Sequence, residues 1–89
     1  MDLTYFNALN NKATVLQILQ RYDESLQYYD KALSIDPTNL NALNNIALVL
    51  QDLGRYNVSL QYYDKALAID PTHLHALNGK VFTLALTGG

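Results

Sequence analysis

Cysteine is missing from all 89 residues, so neither a disulfide framework nor a thiolate metal site holds this chain together. Tryptophan is absent too, and only two prolines and four glycines punctuate the chain. There is no surplus of positive charge: six Lys and Arg stand against eight Asp and Glu, giving a net −2 at pH 7. A phosphate backbone meets no basic footprint here, so nucleic acid is not an expected partner. Nor does any apolar run approach the roughly 18 residues of a membrane-spanning helix, so no membrane partner is expected either. The opening MDLTYFNALNNK lacks the basic segment and apolar stretch of a secretory signal, which leaves the cytoplasmic setting as the default expectation. What remains is a hydrophobic content of 49%, ordinary for a water-soluble globular chain. A chain this short buries only about 60% of the surface its unfolded form exposes, so a single domain over 1–89 with a modest core is expected.

The information lies in repetition. NALNN at 7–11 returns unchanged at 41–45 and, altered, as HALNG at 75–79, each time after 34 residues. In the same register SLQYYDKALSIDPT at 25–38 reappears as SLQYYDKALAIDPT at 59–72, with one difference, Ser34 against Ala68. A fixed period of this length means stacked supersecondary units.

Each period contains two stops. Asp36-Pro37-Thr38 and Asp70-Pro71-Thr72 close a helix, because proline has no N–H and drives the preceding residue out of the α region. Gly54-Arg55-Tyr56 marks the other, with glycine free to adopt the left-handed conformation and Asn57 as the next cap. The matching Gln20-Arg21-Tyr22 has no glycine and takes Asp23 as cap, so that turn is expected to be costlier. Between the stops apolar residues recur at helical spacing, as in Leu43, Ile46, Ala47 and Leu50. Five helices are predicted, over 3–19, 23–35, 40–53, 57–69 and 74–87. The first, third and fifth are A helices and the other two B helices.

On these residues the chain resembles the tetratricopeptide repeat family. Leu43, Ala47, Gly54, Tyr56, Tyr63, Ala66 and Pro71 fall on the family's pattern, as do Leu9, Ala13, Tyr22, Tyr29, Ala32 and Pro37 one period earlier. Ser25 and Ser59 stand where the family usually has alanine, and Val81 replaces a small residue. The resemblance implies an all-α, helix-turn-helix solenoid: five antiparallel helices in a right-handed superhelical stack. Repeat 1 would cover about 6–39, repeat 2 about 40–73, and a half repeat 74–89.

In such a stack the A helices line a concave face, the family's usual surface for an extended peptide. The resemblance places Asn7, Asn10, Asn11, Thr14, Gln17 and Ile18 there from the first A helix. From the second come Asn41, Asn44, Asn45, Leu48, Gln51 and Asp52, and from the third His75, Asn78, Gly79, Phe82, Ala85 and Leu86. Asparagine is a poor helix former, so its recurrence in helices asks for a reason. Its uncharged amide hydrogen-bonds both the C=O and the N–H of a passing backbone, which suits sequence-tolerant capture. The Ala-Leu of each pentamer is expected to face the core. Asn11 and Asn45 match the asparagine ladder of repeats similar to those of O-GlcNAc transferase and kinesin light chain, and Gly79 breaks it at the third rung. Family members that grip chaperone carboxylates carry lysine and asparagine where this chain has Asn10 and Thr14, asparagine at Asn45, and lysine and arginine where it has His75 and Gly79; only Asn45 agrees. Lacking those cations, it is not expected to act as such a clamp.

Other features read as structural. His73 and His75, two apart, do not share a helix face, and no metal or other cofactor is expected. Of the doublets Tyr28-Tyr29 and Tyr62-Tyr63, the second ring should be core and the first a convex-side residue, because neighbours on a helix point about 100° apart. No nucleophile has an evident base beside it and no glycine-rich phosphate loop occurs, so the expected class is a non-enzymatic interaction scaffold. The third A helix ends at Thr87-Gly88-Gly89 without a B helix to cover Leu77, Val81 and Leu84. Each would forgo about 1.5–3 kcal/mol by staying in water, so self-association, as a homodimer through this face or a helix-exchanged assembly, is the alternative expectation.

Overall fold

The computed structural model describes residues 2–88. Its helices are α1 (Leu3–Ile18), α2 (Tyr22–Ile35), α3 (Leu40–Asp52), α4 (Tyr56–Ile69) and α5 (Leu74–Leu86). Asp2 starts α1 by accepting from the Tyr5 N–H at 3.0 Å, and Asn39 starts α3 by accepting from the Ala42 N–H at 3.0 Å. Both are N-caps of the ordinary kind. Helices α2 and α4 end before Asp36 and Asp70, whose Oδ1 atoms take the hydroxyls of Thr38 (3.1 Å) and Thr72 (2.8 Å). These bonds hold the Asp70 carboxyl below its ordinary pKa.

The A-to-B turns correct one expectation: neither Asp23 nor Asn57 is a cap. The N–H groups of Gln20 and Arg21 bond the carbonyls of Gln17 (2.9 Å) and Leu16 (2.8 Å), and those of Gly54 and Arg55 bond Gln51 (3.0 Å) and Leu50 (2.8 Å). This is the Schellman closure. Arg21 and Arg55 then begin the next helix, accepting from Ser25 and Ser59 at 3.0 Å, which places Asp23 and Asn57 inside its first turn. The closure demands a left-handed residue, and Gln20 (φ 61°) supplies it where Gly54 (φ 78°) and Gly88 (φ 74°) do so without a Cβ. A side chain in that conformation costs about 1–2 kcal/mol. Gln20→Gly should therefore raise the melting temperature by several degrees in a thermal unfolding scan, and an unchanged or lower value would contradict the strain argument.

Helix α3 is the centre of the stack. Its Ala42 packs with Phe6, Leu9 and Ala32, its Ile46, Val49 and Leu50 with Ala13 and Tyr29, and its Leu43 and Ala47 with Tyr63, Ala66 and Ala76. Ala42 and Ala76 thus meet the preceding repeat, and Leu9 and Leu43 meet the B helix of their own. Among the described residues no helix precedes α1 to cover Ala8, which is exposed, contrary to the expectation of a core residue. Ser25 and Ser59, buried, donate to the carbonyls of Ala13 and Ala47 at 2.7 Å, so a hydroxyl bonds each A helix to its B helix where alanine would only pack.

Consecutive A helices touch, α1 to α3 and α3 to α5, whereas no Cα of α2 comes within 8 Å of α4. The stack therefore curves with its A helices inside, within 39 × 28 × 16 Å.

Candidate functional site

The inner face is set out by the 34-residue period, which gives equivalent places on α1, α3 and α5 to Asn7, Asn41 and His75, to Asn10, Asn44 and Asn78, and to Asn11, Asn45 and Gly79. Asn7, Asn11, Asn41, His75 and Asn78 are exposed, and Asn10, Asn44 and Asn45 half-buried. Among the described residues no internal hydrogen bond engages the amides of Asn7, Asn10, Asn11, Asn41, Asn44 or Asn78. The Oδ1 atoms of Asn10 and Asn44 are shielded from solvent without a partner, a state that costs about 1–3 kcal/mol per group. Asn45 stands close enough to the Tyr29 hydroxyl to oppose, with Thr14, the upward push of burial on its pKa.

Further along the same helices the face changes character. Thr14, Leu48 and Phe82 are equivalent, as are Ile18, Asp52 and Leu86. Thr14 and Leu48 are half-buried, while Phe82 is 55% and Leu86 45% exposed. Asp52, exposed, is the only formally charged side chain among the expected groove residues at neutral pH. Lys12 and Lys80 lie off this face: the first stacks over the Tyr28 ring at 4.4 Å and the second pairs with Asp64 at 2.7 Å. The Lys12 ammonium, through its hydrogen bond and charge, holds the Tyr28 hydroxyl below its ordinary pKa.

Behind the face lies a hydrogen-bond network invisible to residue-by-residue reading. The buried Tyr29 donates to Gln17 Oε1 at 2.9 Å, with Thr14 Oγ1 3.0 Å from its hydroxyl. One period on, Tyr63 donates to Gln51 Oε1 at 3.3 Å. Thr83 lies 2.8 Å from both that oxygen and the Gly79 carbonyl. The hydroxyl of Thr83 thus links α5 to α3, a role its neighbours in sequence did not announce. Gln51, read as a groove residue, therefore spends its carbonyl oxygen on the junction. The recurring 12-residue interval from Gln17 to Tyr29 and from Gln51 to Tyr63 is the signal that would have found the pair. Burial raises the pKa of both tyrosines, keeping their hydroxyls protonated as donors.

The third A helix presents its other side to solvent. Leu77, Val81 and Leu84 are 37%, 67% and 37% exposed. His73 and His75 form an edge-on ring pair with centroids 5.8 Å apart. Among the described residues no three His, Cys, Asp or Glu side chains gather as a metal site would need, and no helix is long and apolar enough to cross a membrane.

A family model described as tetratricopeptide repeat matches residues 4–72. No curated protein matches the sequence. Among solved structures, the chain is similar to the first TPR of Spaghetti (RPAP3) bound to the HSP90 peptide SRMEEVD. The TM-score is 0.89 and the identity 21%, over 96% of this chain and 68% of that one. It is also similar to the Sgt2 TPR domain from Aspergillus fumigatus, with TM-score 0.86 and 21% identity, over 90% of this chain and 53% of the other. At these identities the likeness is one of fold.

Proposed function

The chain belongs to the tetratricopeptide repeat family, and from that premise we propose that it is a protein–protein interaction module whose inner face takes an extended peptide or partner segment along its asparagines. The observation that carries this reading is the set of unbonded amides at equivalent places on touching A helices. The amides of Asn7, Asn11, Asn41 and Asn78 are exposed and free to bond a peptide backbone, which offers alternating donors and acceptors. The proposed groove comprises Asn7, Asn10, Asn11, Thr14, Asn41, Asn44, Asn45, Leu48, Gln51, His75, Asn78 and Phe82. One structural neighbour is bound to an HSP90 peptide, which supports peptide binding as the role, while the cations that an acidic C-terminus would pair with are lacking in the proposed groove. Binding, not catalysis, is the role assigned. The cytoplasm is proposed as the default compartment.

Capture from a random heptapeptide library, followed by titration of the retained peptides, tests this. Asn45→Ala should weaken them about tenfold, the equivalent of one or two lost hydrogen bonds. Unchanged affinity would remove the groove reading.

A second reading rests on the exposure of Leu77, Val81 and Leu84: we propose that α5 pairs with α5 of another copy in a homodimer, each helix serving as the other's B helix. Sedimentation equilibrium should then show a dimer that Leu84→Glu dissociates and Asn45→Ala leaves intact. A monomer at all concentrations would end it.

A further inference from the structure

We infer that the groove selects for an uncharged or basic segment carrying an apolar anchor, and against acidic segments; this rests on the groove reading above. Two observations carry it. The first is electrostatic. Across the inner faces of three helices the sole formal charge is Asp52, exposed, and the two lysines of the A helices are engaged elsewhere, Lys12 over Tyr28 and Lys80 with Asp64. An acidic segment would bring its carboxylates to uncharged amides and one like charge, with no cation in the groove to form an ion pair or a bidentate bond. A basic side chain would find one opposite charge.

The second is a gradient in polarity. At one repeating position the side chain passes from Thr14, already bonded to the Asn10 carbonyl at 2.9 Å, to Leu48 and then to Phe82, half of whose surface lies in water. Leu86 is exposed on the same stretch of α5. Asparagine at the earlier positions offers hydrogen bonds that ignore side-chain identity, so discrimination falls to this apolar end. An aromatic or branched aliphatic side chain placed there would withdraw apolar surface from water on both partners, the largest non-directional gain available on the face.

The test uses the same random heptapeptide library on three forms of the full chain: wild type, Phe82→Asn and Asp52→Asn. From the wild type the retained pool should be enriched in Phe, Leu, Ile or Met at one position and in Lys and Arg over Asp and Glu. Phe82→Asn should abolish the apolar enrichment and weaken individual apolar-anchored peptides about tenfold. Asp52→Asn should reduce the basic preference by about two- to fivefold, the scale of a solvent-exposed charge pair. Both positions are exposed, so the fold should survive either change, and a circular dichroism spectrum verifies it. A retained pool rich in Asp and Glu, or one without an apolar preference, overturns the inference while leaving the groove in place if Asn45→Ala still weakens it. Failure to retain any peptide, or retention indifferent to Asn45→Ala, overturns the groove reading and this inference with it.

Discussion

Tyr63→Ala is expected to cost about 3–5 kcal/mol, as deletion of a buried aromatic ring does. In a chain of this size that is most of the folding free energy, so the variant should be largely unfolded or melt at least about 12 °C lower. The ring is fully buried against Leu43, Ala47, Ala66 and Ala76, and all of these lie on helices it binds together, α3, α4 and α5. Its hydroxyl contributes separately. Tyr63→Phe keeps the ring and loses only the donor to Gln51, whose oxygen still accepts from Thr83. The cost there should be about 0.5–1.5 kcal/mol. Urea unfolding followed by circular dichroism separates the two: equal losses in Tyr63→Ala and Tyr63→Phe would mean that the hydroxyl network, and not ring packing, joins the repeats.

The second large effect reverses the usual sign of a glycine substitution. Replacing a mid-helix glycine by alanine normally stabilises by about 0.5–1 kcal/mol. At Gly79 the added Cβ would run into the Tyr63 ring, 2.6 Å from its hydroxyl oxygen, and crowding a packed site costs about 1–3 kcal/mol. Gly79→Ala should therefore destabilise, and Gly79→Asn more so, although it completes the asparagine ladder in the sequence. A Tyr63→Leu background that removes the ring should make Gly79→Ala neutral or favourable. Additive effects in that cycle would show that the two residues do not meet.

Much of the architecture was legible because its signals are local. Proline after Asp36 and Asp70, and glycine at position 54, ended helices within a residue of where they end. The 34-residue period then carried each assignment to its equivalents. What escaped depends on neighbours that a single position does not encode. Asp23 and Asn57 look like caps, but the Schellman closure had already supplied the helix start two residues earlier. Ala8 and Ala42 occupy identical pentamers, yet among the described residues only Ala42 has a repeat before it to pack on. Ser25 and Ser59 were legible as small and illegible as donors, since their acceptors lie 12 residues back on another helix. For the groove, the period shows which residues share a face. That their amides stay unbonded emerges only when every internal donor and acceptor is placed. Gly79 is the sharpest case: read along the chain it is a missing rung, and in three dimensions it is room for a tyrosine.

The curvature has a mechanical meaning. Where inner helices touch and outer helices stand apart, rotation about the inner contact line moves the outer layer by roughly 0.2 Å per degree, given helices about 10 Å across. Such a rotation breaks no backbone contact between α2 and α4, and only side chains resist it there, Leu33 of α2 and Tyr62 of α4 packing into one cluster. The stack is thus expected to yield more across its repeats than along each helix, like a leaf spring whose bending opens and narrows its hollow. A ligand lodged in that hollow would bridge the leaves and take up the slack, so its occupancy should be readable as slower hydrogen exchange at the outer surface.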